Sequence, residues 1–124
     1  MEVILTFQTL LIYILIKVAG YKKRSSKRSG YAYEAKTLDG STIFTSGASN
    51  GRRLYSLAIQ DALVEAILKA KELGFRHVLI HSNSRRLEQV CNKLRTPSWQ
   101  EQTIMSDLHH LQQQGMVMLY PTSM

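Results

Sequence analysis

The stretch RHVLIHSNSRRLEQV, Arg76 to Val90, changes its period part-way along. "HVLIHS" is a short apolar run of strand length, preceded by Gly74. From Leu87 the apolar residues recur as Leu87, Val90, Cys91 and Leu94, the i, i+3, i+4, i+7 spacing of a helix. Ser84 stands where an N-cap is needed. The stretch therefore reads as a buried strand running into a helix. Between the two lies Asn83, flanked by Ser82 and Ser84. The carboxyl ends of strands in an open α/β sheet are where ligands collect. This strand ends in a neutral amide, not a carboxylate.

Upstream, Ile59, Leu63, Ala66, Ile67, Ala70 and Leu73 form a second helical stripe, starting near Arg53 and closed by Gly74. Downstream, Pro97 separates a third helix, where Ser98 and Glu101 make a capping-box pattern. Its inward stripe is Ile104, Met105, Leu108 and Leu111, and Gly115 ends it before a last strand, "MVMLY". Trp99 is expected to pack inward. Nearer the N-terminus, "LIYILIKVAG" is apolar on both faces and suits the middle of a sheet. "YKKRSSKRSG" reads as a solvated loop, "YAYEAKTLDGSTIFTSG" as a hairpin turning at Asp39-Gly40, and "ASNGRR" as a turn. The order is βββαβααβ. It predicts an α/β fold, a mixed five-stranded sheet flanked by helices, its later strands parallel through right-handed crossovers.

A chain of 124 residues is one domain, long enough to bury a core without staples. A single cysteine, Cys91, excludes an internal disulfide and points to a reducing, intracellular compartment, cytoplasm or nucleus. The net charge of +7 favours an anionic partner, with a merely solvated basic surface as the plain alternative. Residues 1–12 read as an apolar N-terminal extension to a domain spanning 13–124. The apolar run Val3–Val18 is shorter than the ~20 residues of a membrane span. Only Glu2 precedes it, which argues against a signal peptide; an organelle-targeting role stays open.

"EAILKAKELGFRHVLIHSNSRRLEQVCNKL" and "PSWQEQTIMSDLHHL" resemble the ribonuclease H-like superfamily, and within it plant domains related to reverse transcriptases. The resemblance runs from about Tyr13 to Tyr120 and is most specific in the second half. It implies the RNase H-like fold. In that family four carboxylates hold two divalent ions that cleave a phosphodiester. Carried over residue by residue, the first falls on Ala19 in "KVAG", the second on Ile59 and the third on Asn83. The fourth lies on a C-terminal acidic helix, which this domain is expected to lack. Hard divalent ions want anionic oxygens. Asp61 lies two residues past Ile59, on the far side of its helix, Asp39 is in a turn, and Glu34 alone cannot bridge two ions. The resemblance therefore implies no catalytic residues, no metal, no cofactor and no small-molecule substrate: not an enzyme, but a pseudo-nuclease.

The remaining signal is basic. Lys22, Lys23, Arg24, Lys27 and Arg28 cluster before the hairpin, Arg52 and Arg53 precede the first helix, and Arg85 and Arg86 open the second. Together they predict a nucleic-acid partner, an RNA–DNA hybrid or duplex RNA, held by shape and phosphate contacts. A protein-interaction or regulatory role for a domain derived from a transposable element is the alternative. A residual nuclease with an unusual site is the least favoured. His77 and His81 on the strand, and adjacent His109 and His110, do not suggest a zinc site. Cys91 reads as inert core.

Overall fold

The structure, a computed structural model, describes residues 13–23, 28–49 and 55–121. Among them are strands β1 (Tyr13–Lys23), β2 (Arg28–Thr37), β3 (Thr42–Ser49), β4 (His77–Ser82) and β5 (Val117–Leu119). The helices are α1 (Tyr55–Glu72), α2 (Arg85–Cys91) and α3 (Gln102–Gln113). The strands form one sheet in the order β3-β2-β1-β4-β5. β1, β2 and β3 pair antiparallel as a meander. β4 lies parallel to β1, and β5 parallel to β4. The predicted order and the mixed, five-stranded sheet both hold. No helix among the described residues is long and apolar enough to cross a membrane.

β1 sits at the centre because its residues tolerate burial. Ile14, Ile16 and Val18 are at most 2% exposed, whereas Lys17 and Ala19, on the opposite face, are exposed. α1 covers the apolar face with Ala58, Ile59, Ala62, Leu63, Ala66, Ile67 and Ala70, none more than 1% exposed. Four alanines on that face let the helix backbone approach the sheet closely. Gly74 follows with φ +92, the left-handed cap that glycine supplies. Gly40 turns the β2–β3 hairpin at φ +96. Gly30 is required for another reason. It pairs with Tyr21 across the β1–β2 ladder, and a Cβ there would meet the Tyr21 ring and, at 2.8 Å, the backbone carbonyl oxygen of Ala48, which cannot rotate away.

Four expectations need correction. Leu73 is 54% exposed, because α1 ends at Glu72 and the stripe runs one residue past it. Leu94 is 70% exposed, because α2 stops at Cys91 after two turns and Lys93 takes a left-handed φ of 61°. Trp99 is 78% exposed and does not pack in the core. The basic "loop" is largely strand: Lys22 and Lys23 belong to β1 and Arg28 to β2, paired as Lys22↔Ser29 and Lys23↔Arg28. Arg24 and Lys27 lie outside the described residues, as do Arg52, Arg53 and the extension 1–12. The capping box does form. Ser98 N donates to Glu101 Oε1 at 2.8 Å, and Glu101 N donates to Ser98 Oγ at 3.3 Å.

Candidate nucleic-acid interface

The parallel β1–β4 ladder ends at Val18↔Ser82. Beyond it, the Asn83 backbone N–H donates to Val18 O at 3.4 Å. The Asn83 side chain then continues the pattern. Its Nδ2 donates to Gly20 O at 3.1 Å, and its Oδ1 accepts from Gly20 N at 3.2 Å. The amide acts as one further peptide group, satisfying both backbone groups of Gly20. A carboxylate in the same place could accept from Gly20 N but would set an oxygen against Gly20 O. The neutral end of this strand thus has a structural cause. Ser84 caps α2 as expected, its Oγ accepting from Leu87 N at 3.2 Å.

The other two positions lie elsewhere. Ala19 is exposed on the outer sheet face and lines a shallow hollow of about 330 Å³ with Lys17, Glu34 and Thr45. Glu34 there is paired with Lys36 at 3.8 Å. Ile59 is 1% exposed and belongs to the core on the α1 side, along with Val18. Strand alternation turns Ala19 away from Val18, so Ala19 and Ile59 are on opposite faces of β1. A methyl, a buried branched chain and an amide already holding Gly20 do not fit a pair of divalent cations. Among the described residues no group of three or more His, Cys, Asp or Glu is placed to hold a metal ion.

Exposed basic residues follow the bridge on both of its sides. Lys22 lies two residues beyond Gly20 on β1, and Arg85 two residues beyond Asn83 at the start of α2; both are exposed, as is Arg28 opposite Lys23. Arg86 differs. Its Nε donates to Glu101 Oε2 at 2.8 Å and its Nη2 to Glu101 Oε1 at 2.7 Å. Glu101 is only 4% exposed. The guanidinium, with the Ser98 backbone behind it, holds the Glu101 carboxyl down at about 2. Arg86 is therefore a clamp between the starts of α2 and α3. Sequence reasoning saw both residues but not the bond, because they are 15 positions apart.

A second polar group went unseen. Glu65 on α1 accepts from Tyr31 Oη at 2.5 Å and from Tyr33 Oη at 3.0 Å, reaching across from helix to β2. The Glu65 hydrogen bond, then burial, push the Tyr31 hydroxyl up to about 12; burial leads the rise at Tyr33. The two tyrosines alternate with Ala32 on β2, and that i, i+2 spacing was the available signal. Among the histidines, His77 packs against Tyr13, ring centroids 5.0 Å apart, and its Nδ1 is buried without a partner among the described residues. Burial pushes the Cys91 thiol up to about 12, which makes it a poor nucleophile.

No family model matches the chain, and no curated protein matches it. Solved structures do. Ribonuclease H1 of the archaeon Halobacterium salinarum NRC-1 matches at TM-score 0.75 with 17% identity, over 89% of this chain and 83% of that one. LC11 ribonuclease H1, isolated from compost by a metagenomic approach and solved in complex with an RNA/DNA hybrid, matches at 0.77 with 16% identity, over 87% and 83%. The foamy viral protease–reverse transcriptase, also in complex with an RNA/DNA hybrid, matches at 0.69 with 17% identity, over 93% of this chain and 18% of that one. These matches correct the reading of the chain as a non-enzyme. The architecture it shares is that of ribonucleases, and the residues at Ala19, Ile59 and Asn83 do not measure activity. The chain has the ribonuclease H-like fold; among the described residues a mixed five-stranded sheet is flanked by three helices.

Proposed function

We propose that this chain binds nucleic acid, with an RNA–DNA hybrid as the preferred form, across the carboxyl ends of β1 and β4. The observation that carries the reading is the Asn83–Gly20 bridge. Past it on β1 lies exposed Lys22, and past it at the start of α2 lies exposed Arg85; Arg28, also exposed, opens β2. Phosphate contacts from Lys and Arg supply sequence-independent affinity and make it salt-dependent. Structures of this fold solved with RNA/DNA hybrids support the choice of ligand. Arg86 contributes by holding α2 in place rather than by touching phosphate.

Fluorescence anisotropy with labelled hybrid, duplex RNA and single strands tests this. The expected result is tightest binding to hybrid, with affinity falling steeply as salt rises. Replacing Lys22, Lys23 and Arg28 by Gln should weaken binding to every form and reduce the salt slope by about 2 to 3. Equal affinity of wild type and triple variant would overturn the assignment.

A further inference from the structure

The loop between α2 and α3 carries a hydroxyl that the nucleic-acid surface does not use. The chain has two prolines, and only Pro97 follows a serine or threonine, Thr96. Proline biases the residue before it towards extended backbone. Thr96 is exposed and lies outside helix and strand. Arg95, Thr96 and Pro97 make no backbone hydrogen bond among the described residues, so the segment can adapt to an enzyme cleft without breaking a ladder. Both ends of the segment are fixed. Leu94 N donates to Gln89 O at 2.8 Å, and Ser98 N donates to Glu101 Oε1 at 2.8 Å. The fold therefore presents Thr96 at a set place while leaving its backbone unpaired.

Two cations share the surroundings of this hydroxyl. Lys93, Arg95 and Thr96 line one hollow of about 310 Å³, together with Val90 and Met105. No Asp or Glu among the described residues lines it. Lys93 and Arg95 are both exposed, and neither is paired with a carboxylate among the described residues. Arg86, by contrast, is already committed to Glu101. A phosphate on Thr96 would enter a hollow that holds cations and no like charge.

We propose that Thr96 is the acceptor of a proline-directed serine/threonine kinase, and that Lys93 and Arg95 hold the phosphate once it is attached. The phosphoryl donor is ATP with magnesium. Thr96 Oγ1 attacks the γ-phosphorus, a P–O bond forms to Thr96 as the bond to ADP breaks, and the hydroxyl proton passes to the kinase's base. Pro97 suits such an enzyme because it brings no N–H that an apolar pocket would leave unpaired. Leu94 and Trp99, both exposed, flank the segment and supply apolar contacts to the docking enzyme. The phosphate adds a charge of about −1.5 to −2 at pH 7 and three acceptor oxygens, which match the two cations. None of the residues assigned to nucleic acid takes part, so the inference is independent of that reading.

The full chain is incubated with magnesium-ATP and a mitogen-activated protein kinase, a proline-directed enzyme, and its fragments are weighed by mass spectrometry. The expected result is one phosphate per chain, on Thr96. Thr96→Ala should take up none and Thr96→Ser one. Phosphorus NMR of the modified chain then follows the ionisation of the phosphate. Its second ionisation should fall at a pH about 0.3–0.7 lower than in a Lys93→Gln/Arg95→Gln chain carrying the same phosphate. A folded chain that takes up no phosphate overturns the proposal, whether or not a free peptide of residues 92–101 is modified. So does phosphate on another residue in place of Thr96. Equal ionisation in the two chains overturns the role given to Lys93 and Arg95.

Discussion

The side-chain amide of Asn83 and the backbone of Gly20 hold each other through two hydrogen bonds, at 3.1 and 3.2 Å, one donated by each partner. This pairing extends the parallel β1–β4 ladder past its last backbone pair, Val18↔Ser82. It needs a side chain that both donates and accepts. Asn83→Asp keeps the shape and loses the donor. The expected loss is about 1–3 kcal/mol at neutral pH, read from urea unfolding. Near pH 4 an aspartic acid begins to protonate and regains an O–H donor, so the deficit should narrow there. A deficit that stays constant between neutral and acid pH would show that the donated bond is not the cause.

Ile59 is locked in the core at 1% exposure. Ile59→Ala should cost roughly 2–5 kcal/mol, through lost burial and the cavity left behind. Glu72→Ala, on the exposed end of the same helix, should change stability by no more than about 0.5 kcal/mol. Similar unfolding midpoints for the two variants would mean that Ile59 does not carry the α1–sheet contact.

The Arg86–Glu101 clamp gives stability a pH dependence of definite sign. The Glu101 carboxyl sits at about 2, below its ordinary 4.5. A depressed carboxyl stabilises the fold above its unfolded value and loses that contribution as pH falls from about 4.5 towards 2. Arg86→Ala should be less stable at neutral pH and should show a shallower acid loss than the wild type. Denaturant midpoints at a series of pH values check this. Parallel acid limbs for the two chains would refute it.

The tyrosine pair on Glu65 has the opposite sign. Tyr31 rises from 10.0 to about 12 because its hydroxyl donates to Glu65 and is partly buried. A raised value stabilises the fold fully below pH 10 and loses that contribution as pH climbs through about 12. Spectrophotometric titration of the phenolates should show a late-ionising fraction. Glu65→Gln should bring that fraction down, because the charge that opposes the phenolate is gone while a hydrogen-bond acceptor remains. An unchanged titration would place the cause in burial alone.

Periodicity alone set the element order. The change from "HVLIHS" to the Leu87, Val90, Cys91 stripe, the apolar faces of Ile14, Ile16 and Val18, and the Asp39-Gly40 and Gly74 signals are local, and local spacing reports them. So is the Ser98–Glu101 capping box, whose partners are three residues apart. Where a stripe outran its helix, at Leu73 and Leu94, local spacing misled, because tertiary packing and the left-handed Lys93 decide where a helix stops. The polar groups of the candidate surface were legible as residue types but not as bonds. Sequence shows Asn83 as neutral. Only the parallel register of β1 and β4 brings it to Gly20, 63 residues away, and makes its neutrality a hydrogen-bonding requirement. Sequence likewise counts Arg86 among the free cations and Trp99 as core, and it does not single out Glu65. Their partners or exposure depend on how α1, α2 and α3 pack on one sheet. That packing is a sum of long-range contacts, which no window along the chain contains.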